Sequence, residues 1–174
     1  MLSVGDSAPA FTLQPVFGLP VALHEGTTVI AFLRPLTGST ARTAINTLTE
    51  AWPRFDAEGI KLIAVTHTDL TFARDFVPRH HVLFPIYVDA SGEVARAYQV
   101  PSDKGLLKTL TGLRPRHLSA LGEALAHGRQ MDTVPSTDLP AYIVARDGHI
   151  AYVRYGATAL DQPEIEELWR AATS

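Results

Sequence analysis

The stretch VIAFLRPLTGSTAR, Val29 to Arg42, decides how the rest of the chain is read. Residues 27–33 (TTVIAFL) are an apolar run with β-branched and aromatic members and no alternation, the pattern of a strand covered on both faces. Pro35 and Gly38 interrupt the run, after which Ala41, Ala44, Ile45, Leu48 and Trp52 recur at helical spacing. Ser39 is the expected N-cap of that helix, and Pro53 and Gly59 bracket its expected end. Enzymes often hold a nucleophile at such a strand-to-helix junction. This one offers only Thr37, Gly38, Ser39 and Thr40.

Working outward, residues 60–66 (IKLIAVT) predict a second strand. Thr68 or Asp69 would cap a helix whose apolar positions are Leu70, Phe72, Ala73, Phe76 and Val77. Residues 84–89 (FPIYVD) predict a third strand, and Ser91-Gly92 turns the chain into the helical segment EVARAYQV. From 101 to 138 the pattern changes. Pro, Gly and polar residues surround an amphipathic helix at 117–127, and Leu106, Leu107, Leu110, Leu113, Leu118, Leu121 and Leu125 form an apolar stripe whose default role is to cover a core. AYIVA and HIAYVRY then form a hairpin about Arg146-Asp147-Gly148, and a last helix spans about 163–172 with Asp161 as its expected cap. This order predicts an α/β domain over residues 1–174, with a central mixed sheet, helices on both faces, and a helical insertion at 101–138 before the final hairpin.

Composition narrows the function. The 174 residues suffice for one core without a disulfide or metal staple. A formal charge of −3 with scattered Lys and Arg gives no electrostatic case for nucleic acid or an anionic membrane surface. No apolar run approaches the roughly 20 residues of a membrane span, and the N-terminus lacks a basic region followed by an apolar core, so a cytoplasmic protein is expected. There is no cysteine, which excludes disulfides, thiolate catalysis, iron–sulfur ligation and cysteine-containing zinc sites. The seven histidines include the adjacent pair His80-His81 and His67 after a strand, without ligand-like spacing, so neither a metal nor a cofactor is expected.

Four motifs in order carry a resemblance: VGDSAPAFTL at the start, VIAFLRP, FPIYVDASGEVARAYQV, and LPAYIVARDGHIAYVRYG near the end. Over about residues 3–170 the chain resembles the thioredoxin fold as used by the peroxiredoxin-like family, alkyl hydroperoxide reductase C/thiol-specific antioxidant. The resemblance implies a cis-proline opposite the active-site turn, and Pro140 stands where it would fall. It also implies an oxidoreductase working through a thiolate at a helix N-terminus beside an Arg, and it admits a homodimer.

The thiolate is what the chain lacks. In the branch with Cys-Xaa-Xaa-Cys-Arg, Gly38 and Ala41 stand at the cysteine positions and Arg42 matches the Arg. Counted from Pro35 in the manner of typical peroxiredoxins, the pattern reaches Ser39 and then Arg42 at the cysteine position; the Arg that precedes the hairpin strand falls near Leu139. A Ser39 or Thr40 hydroxyl stays protonated at neutral pH and has no product analogous to a sulfenic acid, so it does not replace the thiol. Ser39 also lacks the Gly-Xaa-Ser-Xaa-Gly setting of a hydrolase.

The expected site is therefore a degenerate redox loop made of Pro35, Thr37, Gly38, Ser39, Thr40, Ala41 and Arg42. No residue is assigned a catalytic role. Arg34, Ser39, Thr40 and Arg42 around the helix N-terminus form a candidate anion site. The expected function is binding of a small anion or a protein partner. The alternative is oxidoreductase chemistry relocated to His67, Ser39 or Arg42, which requires those groups to converge.

Overall fold

Strand β1 (Thr27–Leu33) lies in the middle of a five-stranded sheet, which explains its unbroken apolar run: every residue from Thr28 to Leu33 is buried. A computed structural model describes residues 1–101, 139–158 and 160–174. β2 (Lys61–Thr66) and β3 (Ile86–Val88) run parallel to β1 on one side. β4 (Ala141–Arg146) pairs antiparallel with β1 on the other side and forms a hairpin with β5 (His149–Tyr155), giving the order β3-β2-β1-β4-β5. The hairpin turns at Asp147 and Gly148, both at positive φ, and a bulge at Val144/Ala145 shifts its register.

Alternate residues of the strands feed two cores. On one face Val29, Ala31, Leu62 and Ala64 pack with α1 (Ser39–Ala57), α2 (Leu70–Arg79) and α4 (Ile165–Thr173). On the other, Ile30, Phe32, Ile63, Val65 and Tyr87 pack with α3 (Glu93–Ala97), Tyr98 and the N-terminal residues Phe11 and Leu13. The fold is thioredoxin-like α/β, a mixed sheet with helices on both faces. Among the described residues no helix is long and apolar enough to cross a membrane.

Some local expectations are met and others corrected. Ser39 is the first residue of α1, and Gly38 is its N-cap, without a side-chain cap bond. As expected, α1 ends between Pro53 and Gly59: it runs through Pro53 to Ala57 and stops before Gly59, at φ +67°. The turn beyond Pro53 is held by packing: Phe55 is fully buried against Trp169, and its carbonyl accepts from Glu58 N and Ile60 N. The stacked Arg54 guanidinium adds a cation–π contact with Trp169 and an ion pair with Glu166. Asp69, the second of the two cap candidates, caps α2 by accepting from Phe72 N at 3.0 Å. On that helix Ala73, Phe76 and Val77 are buried, while Leu70 and Phe72 remain about two-fifths exposed (41% and 40%) because only one narrow face meets the sheet. Asp161 does not cap α4, whose N-cap is Glu164; its carboxylate accepts from Ala157 N instead.

The expected insertion and its leucine stripe lie, from 102 to 138, outside the described residues. The residues flanking that segment meet: Leu139 N donates to the carbonyl of Pro101 at 2.8 Å. The Leu139–Pro140 peptide is trans, contrary to the cis bond expected from the resemblance. Trans is the form an X–Pro bond takes by default, and here it carries Pro140 straight from the Leu139–Pro101 contact into β4. The sheet register pairs Phe32 with Ala141, so Pro140 sits beside the end of β1 all the same.

Candidate functional site

The carboxyl ends of the three parallel strands lead into three strand-to-helix junctions, and the candidate loop is the first of them. After β1 the chain turns at Pro35, with Gly38 N donating to the carbonyl of Pro35 at 3.0 Å. The first helical bond runs from Arg42 N to Gly38 O. The amides of Ser39, Thr40 and Ala41 thus have no intrahelical acceptor. No acidic residue lies in this first turn. Gly38 adopts φ −82°, ψ 149°, extended backbone open to any residue, so the position takes a side chain without strain.

Two buried hydroxyls hold the turn. Leu36 N, on a fully buried residue, donates to Thr68 Oγ1 at 2.7 Å. Thr66 Oγ1 donates to the carbonyl of Arg34 at 3.2 Å, and the two threonine oxygens lie 3.0 Å apart. Since the Arg34 carbonyl can only accept, the proton between the hydroxyls comes from Thr68. The relay runs Leu36 N–H to Thr68 to Thr66 to Arg34 O, and it clamps the loop on both sides of Pro35. Thr66 and Thr68 are 0% and 4% exposed, so a broken member would leave a dry polar group. Only the tertiary register of β1 against β2 reveals this pair.

The other expected site residues have distinct surroundings. Ala41 is buried in the core behind the loop, whereas Ser39 is exposed and accepts through its carbonyl from Thr43 Oγ1. The Thr40 carbonyl accepts from Gln162 Nε2 at 3.3 Å, a contact with no signal in the local sequence. Thr37 and Pro35 are half-buried. Arg42 lines a cleft of about 190 Å³ with Leu36 and with Phe72, Asp75, Phe76, Arg79 and His80 from α2 and its cap. Within that wall Arg79 pairs with Asp75 at 2.8 Å, and the His80 ring stacks on Phe76 with 4.0 Å between centroids. Arg34 is not among the described residues lining this cleft.

His67 turns elsewhere. Its Nε2 lies 3.8 Å from Asp89 Oδ2, and its ring sits over Gly92, where a Cβ would come within 3.1 Å of Cε1. The Arg42 cleft is lined by neither His67 nor Ser39.

Opposite the loop, Pro140 O accepts from Gly156 N at 2.8 Å. A Cβ on Gly156 would meet Pro140 Cγ and O, each at 2.9 Å, so β5 and Pro140 touch there backbone to ring.

The sequence model described as the AhpC/TSA family matches residues 4–153. No curated protein sequence matches the chain. Among solved structures it is similar to the peroxidoxin BcpB from Mycobacterium tuberculosis, with a TM-score of 0.68 and 14% identity over 99% of this chain and 95% of that one. It is likewise similar to a peroxiredoxin 6 mutant of Arenicola marina (TM-score 0.72, 14% identity, 99% of this chain and 72% of that one). A third likeness is to the yeast mitochondrial 1-Cys peroxiredoxin (TM-score 0.70, 17% identity, 98% of this chain and 74% of that one). At such identities these likenesses concern the fold.

Proposed function

The chain belongs to the AhpC/TSA family, and on that premise we propose that it is a member without thiol peroxidase or disulfide reductase activity, which uses the former redox junction to bind a small anion. The absence of cysteine from all 174 residues supports the first half directly, because every step of the family's expected chemistry begins with a thiolate. The observation that carries the second half is the open helix start. α1 has no side-chain cap and no acid in its first turn, whereas α2, in the next junction of the same sheet, is capped by its own Asp69.

An anion offers what that junction lacks. The unpaired amides of the first turn and the positive end of the helix dipole favour negative charge. Arg42 adds a cation that can bond a carboxylate or phosphate through two N–H groups. Phe72 and Phe76 beside it suit a ligand with an apolar body, such as a small aromatic acid. The concave shape of the cleft favours a small ligand over a protein partner, for which the half-exposed Leu70 and Phe72 are the support on α2.

The test is a titration of the ¹⁵N-labelled protein with inorganic phosphate and with benzoate. The reading predicts saturable shifts of the Ser39, Thr40 and Ala41 amides, weakened roughly tenfold by Arg42→Ala. Saturable binding of neither anion, or binding indifferent to Arg42→Ala, contradicts it.

A further inference from the structure

We infer that the cleft beside Arg42 is regulated by pH through His80, whose protonated ring supplies a second net positive charge to a bound acid. The inference rests on the anion reading above, and it adds to that site a further residue and a condition that sets its occupancy. The cleft, of about 190 Å³, lies between the start of α1 and α2 with its cap. His80 is the C-cap of α2, and its backbone N–H donates to the Phe76 carbonyl at 3.0 Å. Its half-buried ring lies on the Phe76 ring, with 4.0 Å between centroids and 20° between planes, and both residues line the cleft. The stack thus holds the imidazole at the wall, and a phenyl face suits the ring when it is charged as well as when it is neutral.

The charges around His80 decide what its protonation does. From α2 come Arg79 and Asp75, which pair at 2.8 Å and offset each other. From α1 comes Arg42. With a neutral imidazole the described wall therefore carries one net positive charge, that of Arg42, and with an imidazolium it carries two. Guanidinium and carboxylate groups keep their charge between about pH 5.5 and about pH 7.5, whereas imidazole changes its own there. His80 is the one residue on the described wall of a type that titrates in that interval. His81, next in the chain, is exposed and does not line the cleft.

The sign follows from linkage. A bound carboxylate favours the charged ring, so protonation and binding assist each other. Affinity is then greatest below the imidazole range and falls as the pH rises through it. One unit charge about 4 Å from another in a solvated cleft changes affinity by about fivefold. Phe72 and Phe76 face the ligand's apolar body at every pH, so this part of the binding stays constant.

The experiment titrates the full ¹⁵N-labelled chain with benzoate at about pH 5.5 and about pH 7.5 and constant ionic strength, an interval over which benzoate keeps its single charge. Affinity is expected to be about fivefold higher at the lower pH. His80→Phe keeps a ring on Phe76 but cannot titrate, and is expected to bind equally at both. His81→Asn removes the neighbouring imidazole, tolerates the positive φ of 49°, and is expected to keep the fivefold ratio. Saturating benzoate is expected to move the titration midpoint of the His80 ring upward, the reciprocal of the same coupling. Binding that depends on Arg42 but not on pH overturns this inference and leaves the anion reading standing. So does a pH dependence that survives His80→Phe or is lost in His81→Asn. No saturable benzoate binding at either pH overturns it too, and the anion reading falls with it only if phosphate also fails to bind.

Discussion

Two strand-to-helix junctions at the same edge of the sheet solve one problem in opposite ways. Where β2 passes into α2, Asp69 accepts from Phe72 N, so the helix start is satisfied by its own carboxylate. Where β1 passes into α1, Gly38 supplies no side chain and the first turn holds no acid. The loop itself is nevertheless well fixed, with Leu36 and Arg34 tied to the hydroxyls of Thr68 and Thr66. The difference teaches that order and satisfaction are separable here. Packing and the threonine relay hold the β1–α1 backbone in place while its amides stay open, the arrangement a thiolate or any other anion would use.

That comparison can be attacked from its supports inward. The largest effect is expected from Gly156→Ala, whose added Cβ would lie 2.9 Å from Pro140 Cγ and O. Overpacking against backbone and a rigid ring predicts a loss of about 2–3 kcal/mol in urea unfolding. An unchanged midpoint would mean that Pro140 is not tightly held beside the end of β1. Next is Thr68→Val, which keeps shape but strips the acceptor from the buried Leu36 N–H. The expected cost is about 2 kcal/mol, with faster hydrogen exchange at Leu36. Slow exchange in that variant would show that the loop stands without the relay.

The direct contrast comes from the two helix starts. Asp69→Ala is expected to cost about 1 kcal/mol, while Ser39→Ala stays within about 0.5 kcal/mol of the parent. Equal costs would erase the distinction between capped and uncapped junctions. Smallest of all, Gly38→Asp should gain a few tenths of a kcal/mol, roughly the Gly-to-Asp difference at an N-cap. The same change should weaken phosphate binding by placing a competing carboxylate at the amides. Stability without that loss would uncouple the open cap from anion binding.

Much of this architecture is legible in the sequence, and the misses share a cause. β1 announces itself because a strand covered on both faces needs an unbroken apolar run, and the hairpin because Asp147-Gly148 accepts positive φ. The loop from Pro35 to Arg42 is located by its flanking elements. What it touches is set by tertiary packing, so the cleft that Arg42 shares with α2, the Gln162 contact and the Thr66–Thr68 relay leave no local trace. Ser39 and Asp161 look like caps because their residue types favour that role. Yet Gly38 precedes Ser39 into the helix, and Asp161 is engaged by Ala157 N. Pro53 and Gly59 bracket the end of α1 as expected, and the burial of Phe55 accounts for the turn between Pro53 and Ala57. The expected cis bond at Pro140 rested on resemblance alone, and the trans bond fits the contacts on both sides.

The central claim is that the family's redox junction persists here without its redox chemistry. Hydrogen peroxide consumption by the purified chain, with dithiothreitol as reductant and a protein-free control, tests it most directly. The account predicts loss of peroxide at the rate of the control. Repeated turnover above that rate, proportional to protein, would contradict it.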